Sequence, residues 1–384
     1  MNVETVGSEK KAYIFRGLPL VADSRTLRNG AFFSKATYCT WEKKERSAAG
    51  DKEIINFPLA KDGGWMAIKY PLYLLYLFFF SLFKIGRKDI CVCMDLDTFV
   101  PVWIGSFFKG TTLIFDVVDP ASQARFKKIP CSKLIDKVEF FFINRASLAV
   151  FPHESRLRYY HDLLGVDTAN VKSFIIENMP SFTKNEGRDT GLLKQVKKPR
   201  TLTVGYFGTL DASRGLNLIV GLVCANPDRV KLLVAGDGPL KGYIEEQALR
   251  CSSITYVGRY TGDQLEGLYE QVDFSWMYYD PDIFLHKYAA PNKFYEHLCF
   301  QVPVITNAVI PQAEFVFENH TGVVIDQSGR SYIKDGKIAS EFLLCLEQFT
   351  SGPVLNNYWQ STCIGYYRSI AKQFPGIAVE GGGR

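Results

Sequence analysis

Two doubly wound α/β domains, each a parallel sheet covered by helices, are what this sequence predicts, and three observations carry the prediction. Short β-rich runs alternate with longer helical patterns in both halves. A polar, glycine-containing stretch without periodicity, residues 183–200, separates those halves. The chain has 384 residues, 47% hydrophobic and 22% charged, which suits two packed cores and not a disordered chain. The expected domains are 1–182 and 201–352, Rossmann-like and facing across a cleft lined by the carboxyl ends of both sets of strands. A helix over 353–376 is expected to cross back to the first domain, leaving 377–384 as a loose tail.

In the first half the strands fall at Ala12–Phe15, Thr37–Trp41, Glu53–Asn56, Ile90–Met94, Thr112–Val117, Leu148–Phe151 and Ser173–Ile176, each followed by a crossover. In the second half they fall at Leu202–Phe207, Val230–Ala235, Ile254–Val257, Phe274–Met277, Val302–Thr306 and Val323–Ile325.

Composition narrows the function. Nine scattered cysteines with no CxxC or Cys/His metal spacing form a reduced, cytosolic pattern, neither a disulfide framework nor a zinc site. The first residues lack the apolar core of a secretion signal, so the protein is expected to stay inside the cell. A net charge of +5 suits anionic partners such as nucleotide phosphates or anionic lipid, and no basic helix interleaved with aromatics points to nucleic acid. GxGxxG is absent, which argues against a nicotinamide enzyme.

The segment 70–83 is apolar all round, rich in aromatics, and flanked by Lys69, Lys84, Arg87 and Lys88. Between Lys69 and Lys84 a helix reaches roughly 20 Å, short of the ~30 Å hydrocarbon slab, so it is not expected to span. It reads either as a buried domain helix or as one pressing an exposed face into a membrane interface, with Tyr73, Tyr76, Phe79, Phe80 and Phe83 as the candidate contacts.

Candidate chemistry concentrates in the second half. Over 289–307 a loop runs into a helix opened by Pro291, whose first N–H groups point outward and suit a phosphate or a sugar hydroxyl. One turn in sits Glu296, beside Phe294, Leu298 and Phe300. It either faces water or is buried and hydrogen-bonded, for which a ribose diol is a suitable partner. After the strand Leu202–Phe207 come Gly208, Thr209 and, just before a helix, Arg214, able to clamp a diphosphate where helix N-terminal amides already favour anions; the alternative is a surface turn. Gly236-Asp237-Gly238 and Gly258 end the next two strands, as phosphate-approaching loops or tight turns, with backbone groups of Val257 and Arg259 available to a base edge.

Taken in order, these residues resemble the donor-binding half of retaining glycosyltransferases of family 4, which have the GT-B fold. The resemblance runs over residues 202–326 through Gly208 to Gly215, Ala235-Gly236-Asp237-Gly238-Pro239, Tyr256-Val257-Gly258, and Tyr295-Glu296 followed by Pro303-Val304-Ile305. It implies that the nucleotide lies on the second domain, that Arg214 takes a lysine's role at the diphosphate and that Glu296 binds the ribose. It also implies donor contacts at Tyr288, Ala290, Pro291 and Asn292. Thr209 stands where many members carry an arginine, and Tyr288, eight residues before Glu296, where they carry a glutamate that commonly contacts the transferred sugar. Lys293, in the Pro-Asn-Lys opening familiar among bacterial cell-surface polysaccharide enzymes, is either replacement positive charge or a solvated lysine.

The first half resembles such enzymes more loosely. Phe15 to Gly17 and the segment Asp23 to Arg28 correspond to a first strand, loop and helix, of which the loop faces the donor phosphate and acceptor. Asp97 follows an apolar strand, and Asp116 to Asp119 end the next; a carboxylate there suits an acceptor hydroxyl, while helix caps explain Asp97 and Asp119 equally well. His153 either reaches the cleft or caps a helix.

The resulting expectation is a metal-independent transferase with Arg214, Lys293 and Asp97 as catalytic residues. The donor is a nucleotide diphosphate sugar of UDP or GDP type, the only small molecule required. The acceptor is a lipid-linked or polysaccharide hydroxyl at the cytoplasmic leaflet. A nucleotide-sugar 2-epimerase and a non-catalytic partner of the same fold are the alternatives.

Overall fold

A computed structural model describes residues 11–20, 23–30, 33, 36–43, 53–61, 64–124, 126, 131–178, 201–326 and 331–350. The chain divides into two compact units at Glu177/Asn178. The linker expected over 183–200, the helix over 353–376 and the tail lie outside the described residues.

In the first unit β1 (Ala12–Arg16), α1 (Ser24–Gly30), β2 (Ala36–Thr40), β3 (Glu53–Asn56), α2 (Met66–Lys84), β4 (Ile90–Met94) and α3 (Leu96–Ser106) are followed by β5 (Thr112–Asp116), α4 (Ala121–Ala124), α5 (Ser132–Ile143), β6 (Leu148–Phe151), α6 (Glu154–Leu164) and β7 (Ser173–Ile175). The strands pair in parallel in the order β3-β2-β1-β4-β5-β6-β7. Strands β1 and β4 are buried along their whole length, as near-continuous apolar runs demand in a sheet covered on both faces. The order reverses between β1 and β4, so the switch point lies beyond Arg16 and Met94.

The second unit runs β8 (Leu202–Phe207), α7 (Leu216–Ala225), β9 (Val230–Ala235), α8 (Lys241–Arg250), β10 (Ile254–Tyr256), α9 (Leu265–Glu270), β11 (Phe274–Met277), α10 (Asn292–Cys299), β12 (Val304–Thr306), α11 (Ala313–Glu318) and β13 (Gly322–Val324). A short antiparallel pair, β14 (Ile333–Lys334) and β15 (Lys337–Ile338), precedes α12 (Glu341–Gln348). The main sheet is parallel with the order β10-β9-β8-β11-β12-β13, reversing between β8 and β11. Its core joins Val204, Tyr206, Ile219, Val234, Trp276 and Phe342, all buried. Both units are thus the doubly wound parallel sheets that the sequence predicts.

The aromatic segment departs from expectation. Helix α2 starts at Met66 and has 19 residues, about 28 Å by its rise, so it is long and apolar enough to cross a membrane by length and composition. Tyr73, Leu77 and Ser81 are nevertheless buried along one side, and Phe80 packs edge-on to Tyr13 and Phe15 of β1. That side belongs to the core of the first unit.

Candidate functional site

The switch point of the second sheet gathers the groups of interest. Gly208, at the end of β8, has φ +146°, and a Cβ there would meet Lys293 Nζ at 2.5 Å. Gly236, at the end of β9, has φ +144°, and a Cβ there would lie 1.8 Å from the Gly208 carbonyl oxygen. Glycine at both positions lets the two strand ends abut and leaves the space above β8 to a lysine.

Arg214 ends a short 3-10 turn, Ala212–Arg214, capped by Asp211, whose carboxylate accepts from the Ser213 amide at 2.9 Å. Its carbonyl accepts from Trp276 Nε1 at 2.8 Å, which pins the backbone to β11. The guanidinium lies over Tyr279, 4.1 Å from the ring centroid. Its Nη1 is buried without a hydrogen-bond acceptor. Tyr279 is held in turn by Asn307, which accepts from its amide at 3.0 Å and donates to its carbonyl at 2.6 Å.

Lys293 sits in the first turn of α10, with Pro291 at the N-cap, so the amides of Asn292 and Lys293 have no carbonyl a turn earlier within the helix. The Ala290 carbonyl accepts from Asn178 at 2.8 Å and that of Ala289 from Gln312 at 3.2 Å, fixing the approach to the helix. The Lys293 ammonium lies 4.7 Å from the centre of the Tyr206 ring. Burial, with Arg214 adding repulsion, brings its pKa down to about 8 against the pull of Glu296. Glu296, one turn on, is half-buried and accepts from Tyr269 Oη at 3.0 Å. Burial raises its pKa, while Lys293 and Tyr269 oppose the rise. Among the described residues neither Arg214 nor Lys293 is in a salt bridge with a carboxylate. Two cations on aromatic faces, beside an open helix N-terminus, form a seat for a compact polyanion.

Arg214, Lys293, Gly208, Gly236 and Glu296 come together around this seat. Thr209 is exposed, and its carbonyl accepts from Tyr206 Oη. Tyr288 is buried with its ring against Phe284. The two residues expected at a base edge are each engaged in part. The Val257 amide donates to Val234 at 3.0 Å as an extension of the sheet, and the Arg259 guanidinium is bound to Asp237, with Nε to Oδ2 at 2.7 Å. Sequence reading missed Tyr279, Tyr206 and Tyr269, because they stand 65, 87 and 27 residues from their partners Arg214, Lys293 and Glu296 and leave no spacing signal.

In the first unit Gly17 and Asp97 meet at the switch point: a Cβ on Gly17 would stand 3.3 Å from Asp97 Oδ2. Asp97 is buried in the first turn of α3 and accepts from Tyr70 Oη at 3.3 Å; Asp95, not Asp97, holds the N-cap position. Arg25, on helix α1, is held within the unit. Its guanidinium grips Asp116 with two nitrogens (2.9 and 2.7 Å) and donates to the Ile176 carbonyl at 2.7 Å. Asp116 is buried in that pair. Asp119 is bound to Arg156 at 2.6 Å, and His153 caps α6, accepting from the Ser155 amide at 3.2 Å.

The membrane-contact set is also corrected. Tyr73 is fully buried and stacked on Trp41 at 4.7 Å, while Tyr76 and Phe80 are half-buried against Phe57 and Phe15. Of the five, Phe79 and Phe83 are exposed, on a stripe with Ile68, Leu72 and Leu75. Close crossing of α3 over α2 at Gly105, whose Cβ would meet the Phe78 carbonyl at 2.5 Å, is followed by exposed Phe107 and Phe108. Lys109 then caps the end of α2 through the carbonyls of Ser81, Leu82 and Ile85 at 2.6–2.9 Å.

Residues 200–334, within the second unit, match the model of the family described as glycosyl transferases group 1. No curated protein matches the chain significantly. Among solved structures, the chain is similar to sucrose-phosphate synthase from Thermosynechococcus elongatus at 13% identity and a TM-score of 0.63, over 95% of this chain and 97% of that one. Anabaena Alr3699/HepE in complex with UDP and glucose is similar at 15% identity and a TM-score of 0.58, over 95% of each chain. The UDP-forming α,α-trehalose-phosphate synthase from Burkholderia vietnamiensis is similar at 12% identity and a TM-score of 0.58, over 95% of this chain and 99% of that one. These likenesses establish the GT-B fold.

Proposed function

We propose that this protein transfers a hexose from a nucleoside diphosphate donor, of UDP or GDP type, to a hydroxyl of a lipid-linked or polysaccharide acceptor, with retention of configuration. The observation that carries the reading is the pair Arg214 and Lys293, held on the rings of Tyr279 and Tyr206 beside the N-terminus of α10. Charge builds on the departing diphosphate while the sugar carbon becomes oxocarbenium-like. Fixed cations and amides stabilise that charge without reorganising, commonly the largest catalytic term. Glu296 binds the ribose diol as an acceptor, and the two protein cations do the neutralising that a metal ion does in other transferases. Attack from the face of the leaving phosphate needs no protein nucleophile; Asp97 orients the acceptor hydroxyl. The likeness to a complex holding UDP and glucose supports a UDP-type donor.

The exposed stripe of α2, with Lys84, Arg87 and Lys88 at its end, supports peripheral attachment to the cytoplasmic leaflet, where a lipid-linked intermediate of cell-surface polysaccharide synthesis is presented. The test is transfer from a panel of UDP- and GDP-hexoses to lipid extracts, with the product's anomeric configuration read by NMR. Acceptor-dependent release of nucleoside diphosphate with a retained anomer is expected. Donor breakdown without acceptor, or an inverted anomer, contradicts the reading.

A further inference from the structure

One buried titratable side chain beside the seat has no part in the reading so far. His286 lies in the 3-10 turn Phe284–Tyr288, is 8% exposed, and packs edge-on to Tyr279 with ring centroids 5.0 Å apart. Tyr279 is the ring on which Arg214 rests, so the phenol touches both guanidinium and imidazole. The loop bearing His286 is tied to the turn bearing Arg214 a second time, through the Asp280 amide donating to the Ser213 carbonyl at 3.0 Å.

The tautomer follows from the partner. His286 Nδ1 is 2.7 Å from the Asp280 carbonyl oxygen, which only accepts, so Nδ1 carries the proton and Nε2 presents a lone pair. Burial, with Arg214 repelling a second positive charge, keeps the ring neutral against the pull of Asp280 and Asp211. Nε2 is not among the buried polar atoms without a partner, and no hydrogen bond to it is formed by the described residues. A rigid acceptor is thereby held beside the cation of the diphosphate seat. The neighbouring Tyr288, at the position of the glutamate that contacts the sugar in the resembling family, is buried against Phe284.

Resting on the proposed donor reading, we infer that His286 Nε2 accepts a hydrogen bond from one hydroxyl of the transferred sugar, so that the site selects a neutral hexose bearing a free hydroxyl there. A deoxy sugar leaves the lone pair unmet, and a carboxylate at that position meets it with repulsion.

The experiment is calorimetric binding of UDP, UDP-glucose and the four monodeoxy analogues to the full chain, repeated with GDP, GDP-mannose and its deoxy series, for the native protein, His286→Phe and His286→Gln. The native protein is expected to discriminate against one deoxy analogue by about tenfold, the worth of one neutral hydrogen bond. His286→Phe, which keeps the ring's volume, is expected to lose that discrimination alone while binding the plain diphosphate as the native protein does. His286→Gln, which keeps an acceptor, restores part of it. Discrimination that survives in His286→Phe, or is absent from the native protein, overturns the inference. So does an equal loss of plain diphosphate binding, which assigns His286 to packing behind Arg214. Failure of the native protein to bind either diphosphate defeats the donor reading itself.

Discussion

The two units share one architecture and treat the arginines at their switch points in opposite ways. In the first, Arg16 is bound by Asp23 and Asp95, and Arg25 by Asp116, all buried. In the second, Arg214 and Lys293 lie on tyrosine rings, outside any salt bridge among the described residues. A cation satisfied by a buried carboxylate is a structural rivet, and an incoming anion has to displace the carboxylate to use it. A cation resting on a ring keeps its charge available, because the ring stabilises it without neutralising it. The same fold therefore makes a scaffold of one unit and an anion seat of the other.

The largest test of that contrast is to exchange the expected phenotypes. Arg25→Ala leaves Asp116 buried and unpaired and is expected to cost about 3–5 kcal/mol of stability, read by denaturant unfolding. Arg214→Ala is expected to leave unfolding nearly unchanged and to weaken UDP or GDP binding by about 100-fold, on the order of 2–3 kcal/mol. If Arg25→Ala spares the fold and Arg214→Ala destroys it, the contrast is wrong.

Acid and base should also separate the units, by at most about 1.4 kcal/mol per pH unit for each group. Burial lowers His297 to about 3, below its ordinary 6.5, so the unfolded chain takes up the proton first and the second unit loses stability as pH falls through that window. Burial raises Glu139 to about 8 from 4.5, so the folded first unit keeps a proton that the unfolded chain releases, and stability is lost as pH rises through that window. Hydrogen exchange in α10 and α5, with His297→Gln and Glu139→Gln as controls, reads the two slopes separately.

Lys293 sharpens the functional side. With its pKa near 8, diphosphate affinity is expected to decline above pH 8, and Lys293→Arg, charged throughout, to remove the decline while binding survives. The smallest effect is expected at His153. Losing its cap to α6 through His153→Ala should cost the first unit about 1 kcal/mol without altering donor binding.

Much of this was legible in the sequence because buried parallel strands announce themselves. Glu53–Asn56, Ile90–Met94, Leu202–Phe207 and Val230–Ala235 have the bounds their apolar runs predict. Strand β12 starts two residues late, since the Val302 amide is turned back to the His297 carbonyl at 3.0 Å. Helix α2 starts four residues before the apolar segment because Trp65 adopts a left-handed φ of 71°, which no hydropathy pattern encodes. The pair β14 and β15 was missed although its Asp335-Gly336 turn, both at positive φ, is a readable hairpin signal. At the candidate site, strand-end glycines and the Pro291 helix pointed to the loops that bring Gly208, Gly236 and Lys293 together. The engagement of Arg25 by Asp116, 91 residues on, and of Glu296 by Tyr269 was not readable, because long-range partners are set by topology.

Titration calorimetry of UDP and GDP at pH 7 against the native protein, Arg214→Ala and Lys293→Met tests the central claim most directly. The account predicts binding by the native chain of at least one of the two, about 100-fold weaker binding by Arg214→Ala, and a smaller loss for Lys293→Met at unchanged stability. Undiminished binding by both variants would contradict it.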